Sequence, residues 1–477
     1  MNSRVLTDEH IARVDRASME LLERVGVGLP HPEMRSRFKA AGATVDEKTE
    51  RVRIPRELVK KCLASCGKSY TLYGRNPAKT AEFGAGKRNY NSIAGEASWV
   101  DEPGVQRRYT TLKDVETATR LGDALECLTI PGAMSDPHEM PVSFRCVEVA
   151  ATMLRNTTKP ITFWYHDRAS AKFLNEILIA LRGDEKSAAE KPAFYPFLEP
   201  ISPLRFAFNG VDLLFETARL NLPVPIGPMA QMGMSAPGTV AGTIAQENAE
   251  ILAGVCVTQL VRPGMPVCYG GICHAFDMRT TQMIFSGPEQ AIFGVAMTQM
   301  GKHYGLPVYI NVGLTDAKRP DAQAGFESGI TLMLGAAAGA DIFGHMGISG
   351  VDQASSLDVL VMQHEVIRYV ESVMRSIDFS DDAFGFDVTA EVGPGGTFID
   401  QPHTAEHFRR ELWFPQLGDR DYYQAWLDAG APDFEKRCRE RKEHLLATHE
   451  VEPMPKSLDK ALAAVVRAAR KELAKGR

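Results

Sequence analysis

A pattern of short apolar runs alternating with helical stretches, repeated eight times between residues 128 and 412, constrains the fold of this chain more than any other feature. Each run is apolar or β-branched, ends in turn residues and precedes a stretch of helical periodicity. Strands that alternate with helices predict a parallel sheet, and eight units over about 280 residues are typical of a (β/α)8 barrel. The glycine-rich dinucleotide-binding fingerprint follows none of these strands, which disfavours an open doubly wound sheet.

The repeat assigns a strand and a helix to each unit. The predicted strands are 128–133, 161–164, 193–198, 224–228, 267–270, 308–312, 341–343 and 386–390. The predicted helices are 142–155, 168–182, 210–219, 239–261, 287–303, 321–338, 354–375 and 403–412.

The barrel is flanked by two regions of different character. Residues 1–110 combine short helices with strand-like runs separated by turn residues, which predicts a small α+β region with antiparallel strands. Residues 111–415 form the predicted catalytic barrel, and residues 416–477 form a polar helical tail. An apolar stripe on the last helix, with Leu462 and Val466 at its centre, predicts that this helix docks on the barrel or on a neighbouring subunit.

Composition excludes several classes of partner. The formal charge is 54 − 60 = −6 and the interior has no basic tract, so nucleic acid is not an expected partner. The N-terminus lacks the features of a secretory signal, and no apolar stretch reaches the roughly 20 residues that a membrane-spanning helix needs. We therefore expect a cytoplasmic protein with no membrane association. The eight scattered cysteines are expected to be reduced thiols.

Four segments resemble the trimethylamine methyltransferase family, whose members move a methyl group from a methylated amine to a corrinoid protein. The segments are SMELLERVGV near the start, NVGLTDAKRPDAQAGFESG around Thr315, GADIFGHMG around His345 and HFRRELWFPQLGDRDYYQAW near the end. They span nearly the whole chain. The last segment is the most specific, because it is long, aromatic and has no generic structural explanation.

The resemblance implies a barrel subunit that binds a methylated amine or betaine and forms homo-oligomers. It implies no directly bound cofactor, because cob(I)alamin is carried by a separate corrinoid protein. Archaeal trimethylamine enzymes carry pyrrolysine, whereas this chain has only standard residues, including in the matching loop Thr315–Gly325. The chain therefore resembles the non-pyrrolysine branch, whose known substrates are quaternary amines such as glycine betaine.

Candidate site residues follow from the barrel prediction, because reacting groups lie at the carboxyl ends of the strands. These substrate-binding candidates are Trp164, Tyr165, His166, Glu199, Gln231, His274, Asn311, Asp316, Lys318, Arg319, Phe343, His345 and Glu391. No single residue is assigned a catalytic role.

A quaternary ammonium cannot donate a hydrogen bond, so its recognition depends on aromatic faces and on carboxylates at a distance. Trp164, Tyr165 and Phe343 are the candidate faces, and Glu199 or Glu391 is the candidate counter-charge. Trp164 and Tyr165 are equally compatible with simple packing at the barrel rim.

A betaine also carries a carboxylate, for which a charge-assisted hydrogen bond is expected. The candidate donors are Lys318, Arg319 and His345. His345 is preferred because an apolar strand and two glycines surround it, whereas the two other residues are also compatible with a solvated loop.

A metal site and two other functions are considered. Cys268, Cys273 and His274 lie close together, but neither a CxxC pair nor an HExxH helix is present, and no metal site is predicted. A Schiff-base or metal-dependent lyase could use the same barrel, with Lys318 as the imine-forming residue if it were buried. A non-catalytic sensor of quaternary amines would bind its ligand without releasing a demethylated product.

Overall fold

The computed structural model describes residues 1–102 and 106–474. Short helices and antiparallel strands precede the barrel. The helices are Asp8–Glu20, the π-helical turn Leu21–Val25, Pro32–Ala40 and Arg56–Ser65, and the strands are Val27–Gly28, Thr44–Asp46, Arg51–Arg53, Tyr70–Tyr73 and Thr80–Phe83. The hairpin formed by the last two strands buries Leu72 and Phe83 against Tyr309 and Ile342 of the barrel interior. It thereby closes the end of the barrel opposite to the mouth described below.

Eight parallel strand segments form a closed ring. Five of them form one continuous ladder in the order Asn89–Ser92, Ile342–Met346, Val308–Asn311, Val267–Gly271 and Val224–Ile226. Segments 193–198, 161–162 and 130–132 complete the ring through the parallel pairs Leu198 with Ile226, Gly132 with Thr162 and Asn91 with Ile130. The amide nitrogen of Ile161 donates to the carbonyl oxygen of Ala193 at 3.0 Å, which joins the remaining pair of segments. The predicted (β/α)8 barrel is confirmed.

A helix follows every strand of the ring. In chain order these helices are Leu112–Ala124, Val142–Asn156, Arg168–Arg182, Phe208–Thr217, Val240–Val261, Pro288–His303, Ala322–Ala338 and Leu357–Val373. Their starts agree with polar capping residues: the side chain of Asp167 accepts from the amide of Ser170, and that of Asp321 accepts from the amide of Ala324. Further short strands lie in the loops at the barrel mouth, at Ser98–Asp101, Gln106–Tyr109, Gln231–Met232, His274–Asp277, Gln282–Ile284, Ile348–Ser349 and Ala354–Ser355.

One predicted strand is wrong. Residues 386–390 lie in the helix Phe386–Val392, and the eighth member of the ring is instead Asn89–Ser92, within the predicted N-terminal region. The sequence of this strand, NYNS, contains polar residues that the barrel satisfies: Asn89 Nδ2 donates to the carbonyl of Asp341 at 3.0 Å, and the amide of Gly132 donates to Ser92 Oγ at 2.6 Å. A buried strand held by polar contacts gives no hydrophobic pattern in the sequence.

The C-terminal segment is helical. Its helices are Asp381–Phe384, Phe386–Val392, Pro402–Glu411, Tyr423–Asp428, Phe434–Thr448 and Lys456–Leu473. In the last helix, Leu462, Val466 and Ala469 are buried against the barrel helices Val142–Asn156 and Arg168–Arg182. The tail helix therefore docks on the barrel, as its apolar stripe predicts, while residues 475–477 of the predicted tail lie outside the described ranges.

No helix within the described ranges is both long and apolar enough to cross a membrane. All eight cysteines are free in the structure, in agreement with the predicted reduced thiols.

Candidate active site at the barrel mouth

The inner faces of the strands bring polar side chains to the carboxyl end of the barrel. On the strand Val308–Asn311, the side chain of Ile310 faces outward and contacts Gly335 of a surrounding helix. Because side chains alternate along a strand, Tyr309 and Asn311 face the barrel interior. Enzymes of this fold hold their reacting groups at this end, so the mouth is the candidate active site.

Several buried polar atoms at the mouth lack a hydrogen-bond partner among the described residues. They are Oδ1 of Asn91, Oη of Tyr309, Nδ2 and Oδ1 of Asn311, and both ring nitrogens of His274. Buried polar groups are nearly always paired, because leaving one unpaired costs about 1–3 kcal/mol. These four side chains, which we call the polar floor, therefore have hydrogen-bonding capacity that a bound molecule can use.

Two histidines of the mouth, His274 and His345, are uncharged near neutral pH. Burial lowers the pKa of His345 to about 3. Burial, together with the nearby His345, lowers the pKa of His274 to about 3 as well. The ring of His345 lies 5.5 Å from that of Tyr309, and His274 stacks on Phe285 with 4.5 Å between ring centroids. Both residues can form hydrogen bonds, but near neutral pH neither supplies the positive charge that a substrate carboxylate was expected to meet.

An aromatic wall borders the mouth. The indole Nε1 of Trp164 donates to the carbonyl oxygen of Gly95 at 2.8 Å, which fixes the plane of the ring. Phe197 lies edge-on to it, with 6.2 Å between ring centroids, and is 5.7 Å from Tyr309. Trp164 and Phe197 line a cavity of about 450 Å3 together with Tyr165, His166, Glu199, Met229 and Gln231. Such faces bind alkylated ammonium groups.

Three carboxylates, which we call the mouth carboxylates, come from loops that follow different strands: Glu96, Glu199 and Asp352. Burial and the neighbouring carboxylate of Asp352 raise the pKa of Glu96, and burial raises the pKa of Asp352. Much of the Glu199 side chain is open to the cavity, but the surrounding protein displaces bulk water from it. This desolvation and the negative charge of Asp352 raise the pKa of Glu199 to about 7. Among the described residues, no basic side chain lowers the pKa of any of the three.

Most of the predicted site residues lie at this mouth. They are Trp164, Tyr165, His166, Glu199, Gln231, His274, Asn311 and His345. Tyr165 also stacks on Phe163, at 5.5 Å between centroids, so its ring packs in the wall as well as lining the cavity. Burial opposes protonation of His166, but the carboxylate of Asp136, 3.5 Å from its Nε2, raises the pKa of His166 to about 10.

The remaining predicted residues are directed elsewhere. Phe343 faces outward, where it stacks on Tyr90 and contacts Gly335, so it is not an aromatic face of the cavity. Glu391 lies on the helix Phe386–Val392 and not at the end of a barrel strand, because the strand predicted before it does not exist.

The residues of the loop after Val308–Asn311 contact one another, a neighbouring mouth loop or the C-terminal segment. Asp316 Oδ1 accepts from the amide of Phe285 at 2.9 Å. Lys318 is exposed and its Nζ donates to the carbonyl of Asp316, and Arg319 faces Glu435 at 3.8 Å. An exposed Lys318 lacks the burial that an imine-forming lysine requires.

Sequence reasoning missed Asn91, Glu96, Tyr309 and Asp352. Asn91 and Glu96 were missed because their strand has no apolar pattern, so the mouth loop after it was not recognised. Tyr309 lies inside a predicted strand, and period-two alternation with Asn311 could have identified it as inward-facing.

The cysteines considered for zinc lie in separate environments. Cys268 lies beside Tyr70 in the barrel interior, and Cys273 lies beside Glu247. Among the described residues, the groups spaced for a metal ion are Glu126, Cys127 and His364, and Asp382, His403 and His407. Neither group includes a residue of the mouth.

Comparison with known proteins identifies a family match over nearly the entire chain. The family model described as trimethylamine methyltransferase (MTTB) matches residues 1–474. A glycine betaine methyltransferase of Desulfitobacterium hafniense is 30% identical over 471 residues, covering 98% of each chain. A trimethylamine methyltransferase of Methanosarcina barkeri is 30% identical, covering 97% of this chain and 94% of the relative. Among solved structures, the monomethylamine methyltransferase of Methanosarcina barkeri aligns with 99% of this chain and 95% of its own, at 12% identity and a TM-score of 0.48.

Proposed function

We infer the function of this chain from its family: it belongs to the trimethylamine methyltransferase family and is a methyltransferase. We propose that it transfers a methyl group from a quaternary amine to cob(I)alamin on a partner corrinoid protein. The observation that carries the choice of a quaternary amine is the aromatic wall of Trp164 and Phe197 beside the unpaired Glu199. A fully alkylated ammonium offers no hydrogen-bond donor, so aromatic faces and a nearby negative charge are the features that recognise it. The relatives named for glycine betaine and trimethylamine support an alkylated nitrogen as the methyl donor.

The residues of the mouth bind and orient the donor. In the reaction the C–N bond breaks, its electron pair stays on nitrogen as the lone pair of a neutral tertiary amine, and the methyl group passes to the corrinoid co-substrate. This displacement requires alignment more than acid–base catalysis, and fixed walls such as the hydrogen-bonded Trp164 supply it. Binding the cation too strongly would stabilise the substrate more than the transition state and would slow the reaction. Aromatic faces on one side and a partly protonated Glu199 bind the cation less strongly than a full cage would.

The corrinoid partner is proposed from the family relationship. The amine and the cobalt centre must meet at the mouth, since the hairpin Tyr70–Tyr73 and Thr80–Phe83 closes the other end of the barrel. We therefore propose that the partner protein docks over the carboxyl ends of the strands.

The proposal includes a homo-oligomer in the cytoplasm. In the C-terminal segment, large apolar side chains are exposed, among them Phe386 at 77%, Ile399 at 85% and Tyr422 at 92%. Large apolar side chains exposed in one segment are a feature of surfaces that contact another subunit. Size-exclusion chromatography with light scattering tests this directly, and a monomer at micromolar concentration would contradict it. Free thiols and the reduced corrinoid support a reducing compartment.

The test of the reaction is formation of methylcobalamin from cob(I)alamin and a panel of quaternary amines, followed by absorbance. We expect methylcobalamin with at least one quaternary amine and a weaker response with trimethylamine. Binding of quaternary amines with no methyl transfer, even with a corrinoid protein present, would favour a sensor. Covalent trapping of a carbonyl compound on Lys318 by borohydride would favour a lyase.

A further inference from the structure

We propose that the substrate binds in one orientation, with its ammonium at the mouth carboxylates Glu96, Glu199 and Asp352 and a polar tail on three residues of the polar floor, Asn91, Tyr309 and Asn311. This inference rests on the proposed function and adds to it the residues that distinguish the two ends of the substrate. Glu96, Asp352, Asn91 and Tyr309 are not among the residues that the sequence indicates.

The carboxylate end is electrostatically unbalanced. Glu199 lines the cavity beside Trp164 and Phe197, and Glu96 follows Gly95, whose carbonyl oxygen holds the Trp164 indole. Burial and the carboxylate of Asp352 raise the pKa of both Glu96 and Glu199. His166 also lines this cavity, but it is engaged by the carboxylate of Asp136, 3.5 Å from its Nε2. The cations of neighbouring loops are engaged elsewhere: Lys318 Nζ donates to Asp316, and Arg319 faces Glu435. An uncompensated cluster of carboxylates beside aromatic faces favours a cation.

The floor carries no formal charge but has unused hydrogen-bonding capacity. Tyr309, Asn311 and Asn91 are 1%, 0% and 2% exposed, and the polar atoms of their side chains noted above lack partners. Asn91 Oδ1 and Tyr309 Oη converge on the same point, because both would lie within 2.4 Å of a Cβ atom on Gly344. The Tyr309 hydroxyl and Asn311 Nδ2 can donate to a hydroxyl or a carboxylate, and Asn91 Oδ1 can accept from a hydroxyl, so no basic residue is required.

The two ends are joined by the aromatic wall. Phe197 lies between them, with its ring 6.2 Å from Trp164, which is anchored next to Glu96, and 5.7 Å from Tyr309 of the floor. Phe197 therefore lies beside both proposed ends of the substrate. With its ammonium toward the open mouth, the methyl group faces the side from which the corrinoid must approach.

The test compares three ligands that share an alkylated ammonium: tetramethylammonium, which has no polar tail, and choline and glycine betaine, which have one. Affinities are measured by titration calorimetry on the full chain without a corrinoid. The floor is probed with Tyr309→Phe, which removes only the unpaired hydroxyl, and the carboxylates are probed with Asp352→Asn and Glu199→Gln. Glu9→Gln, an exposed acid on the helix Asp8–Glu20, is the matched control.

We expect Tyr309→Phe to weaken choline and glycine betaine about fivefold and to leave tetramethylammonium within twofold of the wild type. Asp352→Asn and Glu199→Gln should weaken all three ligands by similar factors of about five to ten, and Glu9→Gln should change none. Equal effects of Tyr309→Phe on all three ligands, or no effect of either carboxylate variant on tetramethylammonium, would overturn the orientation. Thermal unfolding of each variant verifies that it is folded.

The same samples separate this inference from the proposed function. If the predicted affinity pattern is found but no quaternary amine yields methylcobalamin, the orientation stands and the methyl transfer fails. If methylcobalamin forms but the floor and carboxylate variants act alike on all ligands, the orientation alone fails.

Discussion

Gly344 lies so close to Tyr309 that a Cβ atom at position 344 would stand 2.2 Å from the Tyr309 hydroxyl oxygen. The same atom would lie 2.4 Å from Asn91 Oδ1. Two polar side chains of the floor can therefore converge at the barrel mouth only because residue 344 has no side chain. This contact links a single glycine in a β-strand to the geometry of the candidate site.

Replacing Gly344 with alanine should displace Tyr309 and Asn91 and overpack the barrel. We expect Gly344→Ala to lower the free energy of unfolding by about 1–3 kcal/mol, measured by urea denaturation. The control is Gly325→Ala, in the helix Ala322–Ala338, where a Cβ atom would meet nothing within 4 Å. Alanine there should be neutral or stabilising by up to about 1 kcal/mol. Equal stability of the two variants would contradict the crowding at Gly344.

The face of Trp164 should contribute directly to cation binding. A desolvated cation–π contact is worth about 2 kcal/mol, so Trp164→Ala should raise the Kd for tetramethylammonium about tenfold to thirtyfold. Trp164→Phe keeps an aromatic face but loses the hydrogen bond to Gly95, so its loss should be smaller. Calorimetric titration distinguishes the two variants. Unchanged affinity of Trp164→Ala would assign the indole to packing alone.

Glu199 should give the reaction a pH dependence. Its pKa is raised to about 7 by the surrounding protein and by Asp352, so the negative charge that attracts a cation is lost as the pH falls below 7. Because a quaternary ammonium does not titrate, kcat/KM should rise through pH 7 and then level off. Glu199→Gln should flatten this step while lowering kcat/KM at pH 8. A step that persists in Glu199→Gln would assign the titration to another group.

The buried histidines should make the fold sensitive to acid. Their folded pKa values, about 3 for His274 and His345, lie below the unfolded value of about 6.5. The unfolded state therefore binds more protons between pH 6.5 and 3, and stability present above pH 6.5 is lost as the pH falls. One such histidine should lower the free energy of unfolding by up to about 2 kcal/mol as the pH falls from 6.5 to 5. The free energy of unfolding, measured with urea, should differ less between pH 7 and pH 5 in His345→Gln than in the wild type. An identical difference in the two proteins would contradict burial of a neutral His345 ring.

The eighth barrel strand shows the limit of predicting strands from the hydrophobic pattern alone. The sequence pattern predicts seven of the barrel strands and the helices that follow them, because each unit combines an apolar run with a stretch of helical periodicity. It misplaces the eighth strand, because Phe386–Val392 has apolar residues at a spacing that a short strand and a short helix share. That error moved Glu391 into the predicted site and left Glu96 out of it.

By itself the sequence determined the alternating strand and helix pattern, the closed barrel class, the family and most residues at the mouth, because these depend on local periodicity and on contiguous segments. Only the tertiary structure decided that NYNS is a barrel strand, that Phe343 faces outward and that Asn91 and Tyr309 converge next to Gly344. The physical reason is that a polar strand becomes favourable only when distant residues satisfy it, as Asp341 does for Asn89. Likewise, the charge of His345 and Glu199 depends on burial and on neighbours far along the chain, which no local pattern encodes.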